Sequence, residues 1–202
     1  MLRTLDSSRL WPSTRYAVEF QLLTGARPGE VRLATRSEID LEARTWTLPS
    51  ERVKSDRAFQ VHLSPRAIEI VRVAFELPRE SGDYLFPGYE GAALEKMAVA
   101  RALRRLAPRV TQKGGKALRP HDLRKTFRTM LSRLGVQPHI AELCLNHLET
   151  ETMRRVYDGY DYGAEMADAW ERVSSHITAL RSGGAQVISI RATATEIPAK
   201  IA

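Results

Sequence analysis

Six side chains in four short segments carry groups that together suit one chemistry. They are Arg27 within Thr24-Gly25-Ala26-Arg27-Pro28-Gly29-Glu30, then Lys54, then His121 and Arg124 within His121-Asp122-Leu123-Arg124, and finally His147 with Tyr157 ten positions later. Two guanidiniums, an ammonium, two imidazoles and a phenol can hold a phosphodiester, attack it and protonate the departing oxygen. That sequence of steps needs neither metal nor nucleotide. In-line attack builds charge on the two non-bridging oxygens, and each preorganised donor aimed there is worth ~10²–10³-fold in rate. Two arginines can grip those oxygens bidentately, and Arg27 and Arg124 are the candidates. Arg124 lies three residues after His121 near an expected helix start, so both positions fall on one face. A helix start also points free N–H groups at an anion.

Each residue has an ordinary reading too. An arginine taken alone is a surface ion-pair partner, and most arginines here are read that way. Lys54 alone would be a solvated turn residue; with the rest of the set it becomes the general acid for the leaving 5′ oxygen, a role worth ~10²–10⁴-fold. His121 and His147 can share proton handling because imidazole titrates near neutrality, whereas His62, His139 and His176 are read as structural. Tyr157 is the expected nucleophile. A phenol with an ordinary pKa of ~10 needs a base and cationic neighbours to attack. Tyr160 and Tyr162 are close rivals, and Tyr16 and Tyr84 are assigned to the core. Cys144-x-x-His147 is weak as a metal site, because no second ligand pair follows at suitable spacing.

The elements that must position these groups follow from pattern. Ser13 to Leu23 reads as a helix capped by Ser13, with Tyr16, Phe20 and Leu23 on one face. Thr24 and Gly25 end it, and Pro28 starts another, which places Arg27 in the corner between two helices. From Glu38 to Leu63 the period changes to two. Ile39 and Leu41, Trp46 and Leu48, then Phe59, Val61 and Leu63 mark three short antiparallel strands. The turn Ser55-Asp56-Arg57 puts Lys54 at a hairpin tip. Ser64-Pro65 begins a helix to Val73. A loop from Pro78 to Gly91 is anchored by Tyr84-Leu85-Phe86, and a helix is expected from about Ala92 to Leu106 with Leu94, Ala98, Ala102 and Leu106 inward. Gln112 to Ala117 is a basic loop, and its Lys113 and Lys116 are candidate DNA contacts with Arg119 and Lys125. Leu123, Phe127, Met130, Leu131 and Leu134 form a helical stripe stopped by Gly135. Pro138 opens a short helix ending near Asn146, and Thr150 or Thr152 can cap one bearing Tyr157. A last helix carries Met166, Trp170, Val173, Ile177 and Leu180 and stops at Ser182-Gly183-Gly184. Val187 to Ile190 is a strand-like scrap without a local partner. The expected class is α+β, mainly helical, with a small three-stranded sheet.

Bulk properties agree with this chemistry. The 202 residues suffice for one or two domains with a real core, and the net charge of +7 favours a polyanionic partner. All but six of the 31 basic residues are arginines, whose planar fork suits phosphate. A single cysteine precludes an internal disulfide, and no apolar run approaches the ~18 residues of a membrane span. With no signal-peptide core, a cytoplasmic address is expected. Walker-type, His-Glu-x-x-His and Gly-x-Ser-x-Gly motifs are all missing, and Lys113-Gly114-Gly115-Lys116 lacks the phosphate-loop pattern.

These residues resemble the tyrosine recombinase family, particularly integrases of phages and integrative elements, from about Leu22 to Tyr162. Leu22 to Val31 looks like the first arginine box, and Lys54 falls in what looks like the β-hairpin lysine region. His121-Asp122-Leu123-Arg124-Lys125-Thr126 is similar to the second box. Leu145-Asn146-His147 followed by Tyr157 is similar to the last histidine and nucleophile, and Tyr157 to Tyr162 looks like the ending of many prophage integrases. Many members have glycine where this chain has Asn146, a change expected to alter packing only.

The resemblance implies a catalytic domain over residues 1–182 and a tail over 183–202 that docks as a strand in cis or on a neighbour. The family's N-terminal core-binding and arm-binding domains have no counterpart in the sequence, so an excised domain or truncated product is expected. It implies no cofactor, metal, nucleotide or membrane. The partner is double-stranded DNA, bound by four protomers at two attachment sites, with a monomer or weak oligomer when free. Tyr157 would form a 3′-phosphotyrosine and release a 5′-hydroxyl, which attacks the partner strand through a Holliday junction. Two alternatives stay open: relaxation like that of type IB topoisomerases, which would use the same six groups, and a non-catalytic DNA-binding remnant.

Overall fold

The computed structural model describes residues 1–53, 57–78, 82–110, 118–147 and 161–183. Lys54, Lys113, Lys116 and Tyr157, the expected helix around Tyr157, and the strand-like Val187 to Ile190 lie outside the described residues.

Helix α2 (Pro12–Thr24) is the centre of the molecule. Its residues from Ala17 to Thr24 are all buried, so it has no solvent face to mark with polar side chains. Around it pack α1 (Leu2–Asp6), α3 (Pro28–Arg32), α4 (Pro65–Phe75), α5 (Ala98–Val110), α6 (Pro120–Arg133) and α8 (Gly163–Ser182); α7 (Pro138–Cys144) lies against α6 and α8. A three-stranded antiparallel sheet, β1 (Ile39–Asp40), β2 (Thr45–Leu48) and β3 (Phe59–His62), runs in that order along one side. Trp46 faces Val61 across the sheet and sends its ring inward, 5.2 Å from Phe20 of α2. β3 meets α8 through Phe59 and Trp170, whose rings are 6.5 Å apart.

The expected class and most of the expected elements are present. The boundaries that moved did so for physical reasons. Ser13 does not cap α2: Trp11 holds the N-cap position, Pro12 starts the helix, and Ser13 is buried in its first turn. The α5 helix starts at Ala98, not near Ala92. The preceding residues fold back as a loop instead, with an isolated bridge between Pro87 and Ala93 and a left-handed Glu90 (φ 51°). Leu94 is still buried, but from that loop. Leu180 is 39% exposed instead of inward, being on the last turn of α8. Tyr16 and Tyr84 are half-buried and not part of the sealed core.

One buried carboxylate stitches the helices together. Glu19 of α2 is 1% exposed and accepts hydrogen bonds from Arg66 of α4 (2.8 Å) and Arg181 of α8 (2.6 Å). Arg181 also reaches Asp6 of α1 at 2.8 Å.

Candidate active site

The site is built at the corner where α2 ends. Gly25 takes a left-handed conformation (φ 69°), and a β-carbon there would lie 2.4 Å from the Phe127 ring of α6. Glycine is therefore needed twice, for backbone freedom and for close approach. The carbonyls of this corner are captured by three different donors. Trp170 Nε1 of α8 donates to the Thr24 carbonyl (3.1 Å), Arg124 Nη1 of α6 to that of Gly25 (2.8 Å), and Gln21 Nε2 to that of Ala26 (3.4 Å). Gln21 also donates to the Pro120 carbonyl at 3.0 Å, which ties the start of α6 to the corner. The two arginine segments, nearly a hundred residues apart in sequence, thus share one framework.

Both segments begin their helices the same way. In Arg27-Pro28-Gly29-Glu30 the Arg27 N–H donates to the Glu30 carboxylate (2.6 Å), and in Arg119-Pro120-His121-Asp122 the Arg119 N–H donates to Asp122 (2.9 Å). Proline at the first helical position and an acid at the third satisfy the helix start. The arginine placement differs. Arg27 occupies the N-cap itself and its guanidinium pairs with Glu30 at 2.8 Å. Arg124 lies one turn into α6 and is 4% exposed. His121, at the same end of α6, is exposed, as are Arg119 and Lys125, so the shared face runs from solvent to core.

The third segment supplies the turn that gathers them. α7 ends in a Schellman motif: the Asn146 N–H donates to the Leu143 carbonyl (2.8 Å) and the His147 N–H to the Glu142 carbonyl (3.1 Å). The residue at its centre must be left-handed, and Asn146 is, with φ 48°. The same motif closes α6 with Gly135 at that position, φ 76°. Asparagine tolerates this backbone region better than most residues, so the residue at 146 bears on backbone conformation and not on packing only. The turn then presents two consecutive carbonyls to the two arginines. Arg124 Nη2 donates to that of Leu145, and Arg27 Nη2 to that of Asn146 at 3.5 Å. The next residue is His147, whose Nδ1 is 2.6 Å from the Glu142 carboxylate; Arg128 Nε holds the other oxygen of Glu142 at 2.6 Å.

The electrostatics leave positive charge in excess. Among the described residues Arg124 makes no ion pair, and its partners are carbonyls. Burial, and then the charge of Arg27, push its pKa down to about 10, against the opposing pull of Glu30 and Glu142. Keeping Arg124 charged at neutral pH thus costs on the order of 3 kcal/mol of stability. Burial raises the Glu142 carboxyl, but hydrogen bonds from His147 and Arg128 outweigh it and hold the group below the usual range. Cys144 is buried beside this turn, and burial pushes its thiol up to about 12, so it stays protonated. Among the described residues no cluster of three or more His, Cys, Asp or Glu could hold a metal ion, and no helix is long and apolar enough to cross a membrane.

Near Lys54 the described chain is also anchored to this framework. Arg52, two residues earlier, donates to the Glu30 carbonyl (3.1 Å) and pairs with Glu38 at 2.8 Å. Of the six expected site residues, the structure thus brings Arg27, Arg124 and His147 together, and leaves His121 exposed at the adjoining end of α6. Sequence reading did not assign roles to Gln21, Glu30, Arg128 or Glu142. Glu30 was legible as an acid three residues into a proline-started helix. The others act across elements and leave no local signal.

Residues 1–162 match the model of the phage integrase family. The chain belongs to that family. The prophage integrase IntA of Escherichia coli (strain K12) is 31% identical over 165 residues, covering 80% of this chain and 38% of that protein. IntZ of the same strain is 32% identical over 148 residues, 72% of this chain and 35% of its relative. The chain therefore spans little more than a third of the length of these relatives. Among solved structures, the integrase from mycobacterium phage Brujita superposes with a TM-score of 0.63 at 21% identity, over 84% of this chain and 54% of that one. The XerH site-specific recombinase bound to its difH substrate gives 0.62 at 22% identity, over 84% and 51%. These likenesses show that the helical body with its small sheet is the recombinase catalytic fold.

Proposed function

We propose that this phage integrase family chain is the catalytic domain of a site-specific recombinase, which cuts and rejoins duplex DNA through a 3′-phosphotyrosine. The observation that carries the reading is the convergence of Arg27 and Arg124 on consecutive carbonyls of the turn that ends in His147. An anion placed there would meet two guanidiniums and an imidazole, and would relieve the charge excess around Arg124.

In this mechanism Arg27 and Arg124 hold the two non-bridging oxygens of the scissile phosphate. The Tyr157 oxygen attacks phosphorus and gives up its proton to His147 or His121. The bond from phosphorus to the 5′ oxygen breaks, and Lys54 supplies the proton that the 5′ oxygen takes. The phosphotyrosine keeps the bond energy, so a 5′-hydroxyl of the partner strand can attack it and restore both DNA and tyrosine without a nucleotide. Arg119 and Lys125, exposed beside His121, would contact the DNA backbone, as would Lys113 and Lys116. Four protomers on two attachment sites, a bacterial cytoplasmic address and a C-terminal tail that docks on a neighbour belong to the same proposal. Deleting the residues after Gly184 should then change solubility or oligomeric state.

The test is covalent capture on suicide duplexes nicked beside the cleavage position and tiled across the junctions flanking the gene. The expected result is a protein–DNA adduct that survives denaturation, maps to Tyr157 and disappears in Tyr157→Phe. Adduct that persists in that variant, or DNA binding with no adduct on any duplex, contradicts the proposal.

A further inference from the structure

Glu142 is bound to His147 twice. Its backbone carbonyl accepts the His147 N–H at 3.1 Å, and its carboxylate meets Nδ1 at 2.6 Å. The first contact is part of the Schellman turn and would form with any residue at 142. The second depends on a carboxylate. That carboxylate is in turn oriented by Arg128 Nε at 2.6 Å, and Arg128 is itself held by Ser132 Oγ at 2.5 Å. The chain of contacts runs from α6 through α7 to the imidazole, and nothing in the helix packing requires it: His147 is 45% exposed and Glu142 24%. Two polar side chains held this tightly at a surface turn cost side-chain entropy for little stability in return.

We propose that Glu142 is a positioning residue for His147, fixing the ring so that Nδ1 carries the proton donated to the carboxylate and Nε2 exchanges the reacting proton. This rests on the reading of His147 as a site residue. An imidazole with a carboxylate on one nitrogen has a set tautomer, a set orientation and a stabilised protonated form. As Tyr157 attacks, the phenolic proton moves to Nε2, and the imidazolium that results keeps its Nδ1–H bond to Glu142. In the reverse step Nε2 returns the proton to the leaving phenolate. Arg128 keeps the carboxylate ionised and aimed at the ring.

Two measurements on the full chain test this. In covalent capture, Glu142→Gln should slow adduct formation about 10- to 100-fold, by analogy with loss of the carboxylate behind a metal-bound imidazole. DNA affinity and melting temperature should stay near those of the parent, and Glu142→Asp should recover part of the rate. In a His147→Ala background, Glu142→Gln should add no further loss. The second readout needs no DNA: the ring ¹⁵N resonances of His147. Arg27 lies against the preceding carbonyl, and His62 and Asp161 line the same cleft of about 440 Å³. The comparison is therefore between parent and Glu142→Gln, which leaves those groups in place. The parent should show the Nδ1–H tautomer, and the variant shifted ring resonances. An Nε2–H tautomer in the parent, unchanged ring resonances in the variant, or full capture by a folded Glu142→Gln overturns the proposal. If the parent captures no DNA, the recombinase reading fails by itself, while the resonances still decide whether Glu142 sets the ring.

Discussion

Two clusters in this molecule are built from arginines and a glutamate, and they are opposites. At the centre, Glu19 lies between Arg66 and Arg181. Burial raises its carboxyl, but the hydrogen bonds from Arg181 and Arg66 prevail and hold it below the usual range. The guanidiniums of Arg66 and Arg181 are pushed up, chiefly by their bonds to Glu19. At the α2–α3 corner, Arg124 is pushed down, first by burial and then by its like-charged neighbour Arg27, and its hydrogen-bond partners are carbonyls, not carboxylates. Each cluster has one buried charge, Glu19 in the first and Arg124 in the second, and both join distant helices. The first is charge-compensated and holds the helices together; the second is left short of negative charge next to half-buried Arg27 and exposed His147. Arginine content therefore does not mark the site. The missing counter-charge does.

Substitutions should separate the two. Arg124→Met should reduce covalent capture by ~10²–10³-fold, the loss expected for one donor to a charged transition state, with little change in melting temperature. Arg66→Met should do the reverse. Glu19→Gln removes the buried carboxylate that Arg66 and Arg181 share and leaves them only Glu69 and Asp6, so it should cost about 1.5–3 kcal/mol, read by chemical denaturation at pH 7. Because the folded Glu19 carboxyl titrates below its ordinary value, its contribution is present above the ordinary carboxylate range and is lost as pH falls through the lowered value. The gap between parent and Glu19→Gln should therefore close in acid.

Smaller effects test the scaffold beneath the corner. Gly25→Ala adds left-handed strain and a collision with Phe127, together about 2–4 kcal/mol, and should weaken capture through displacement of the Gly25 carbonyl that holds Arg124. Asn146→Gly relaxes the backbone at the Schellman centre, and its stability should shift by no more than about 1 kcal/mol in denaturation, leaving capture intact.

The sequence made the helices and strands legible where one face is apolar, as in α6 and α8, and where proline and glycine punctuate, as around Arg27. The three-stranded order could be read from the alternation around Trp46 and Val61. What could not be read was set by distant contacts. The α5 start moved because residues before Ala98 pair with the Pro87 loop. The role of Asn146 depends on the closing geometry of α7, and those of Gln21, Arg128 and Glu142 on which helix each one meets. Motif order singled out the candidate reacting groups; only packing shows that one turn collects Arg27, Arg124 and His147.

The most direct measurement is an experimental structure of Tyr157→Phe bound to an uncleaved attachment-site duplex. One backbone phosphate should lie within hydrogen-bonding distance of Arg27, Arg124 and His147, with residue 157 facing it opposite the 5′ oxygen. A duplex that leaves this corner empty and seats its phosphates on other arginines would contradict the account.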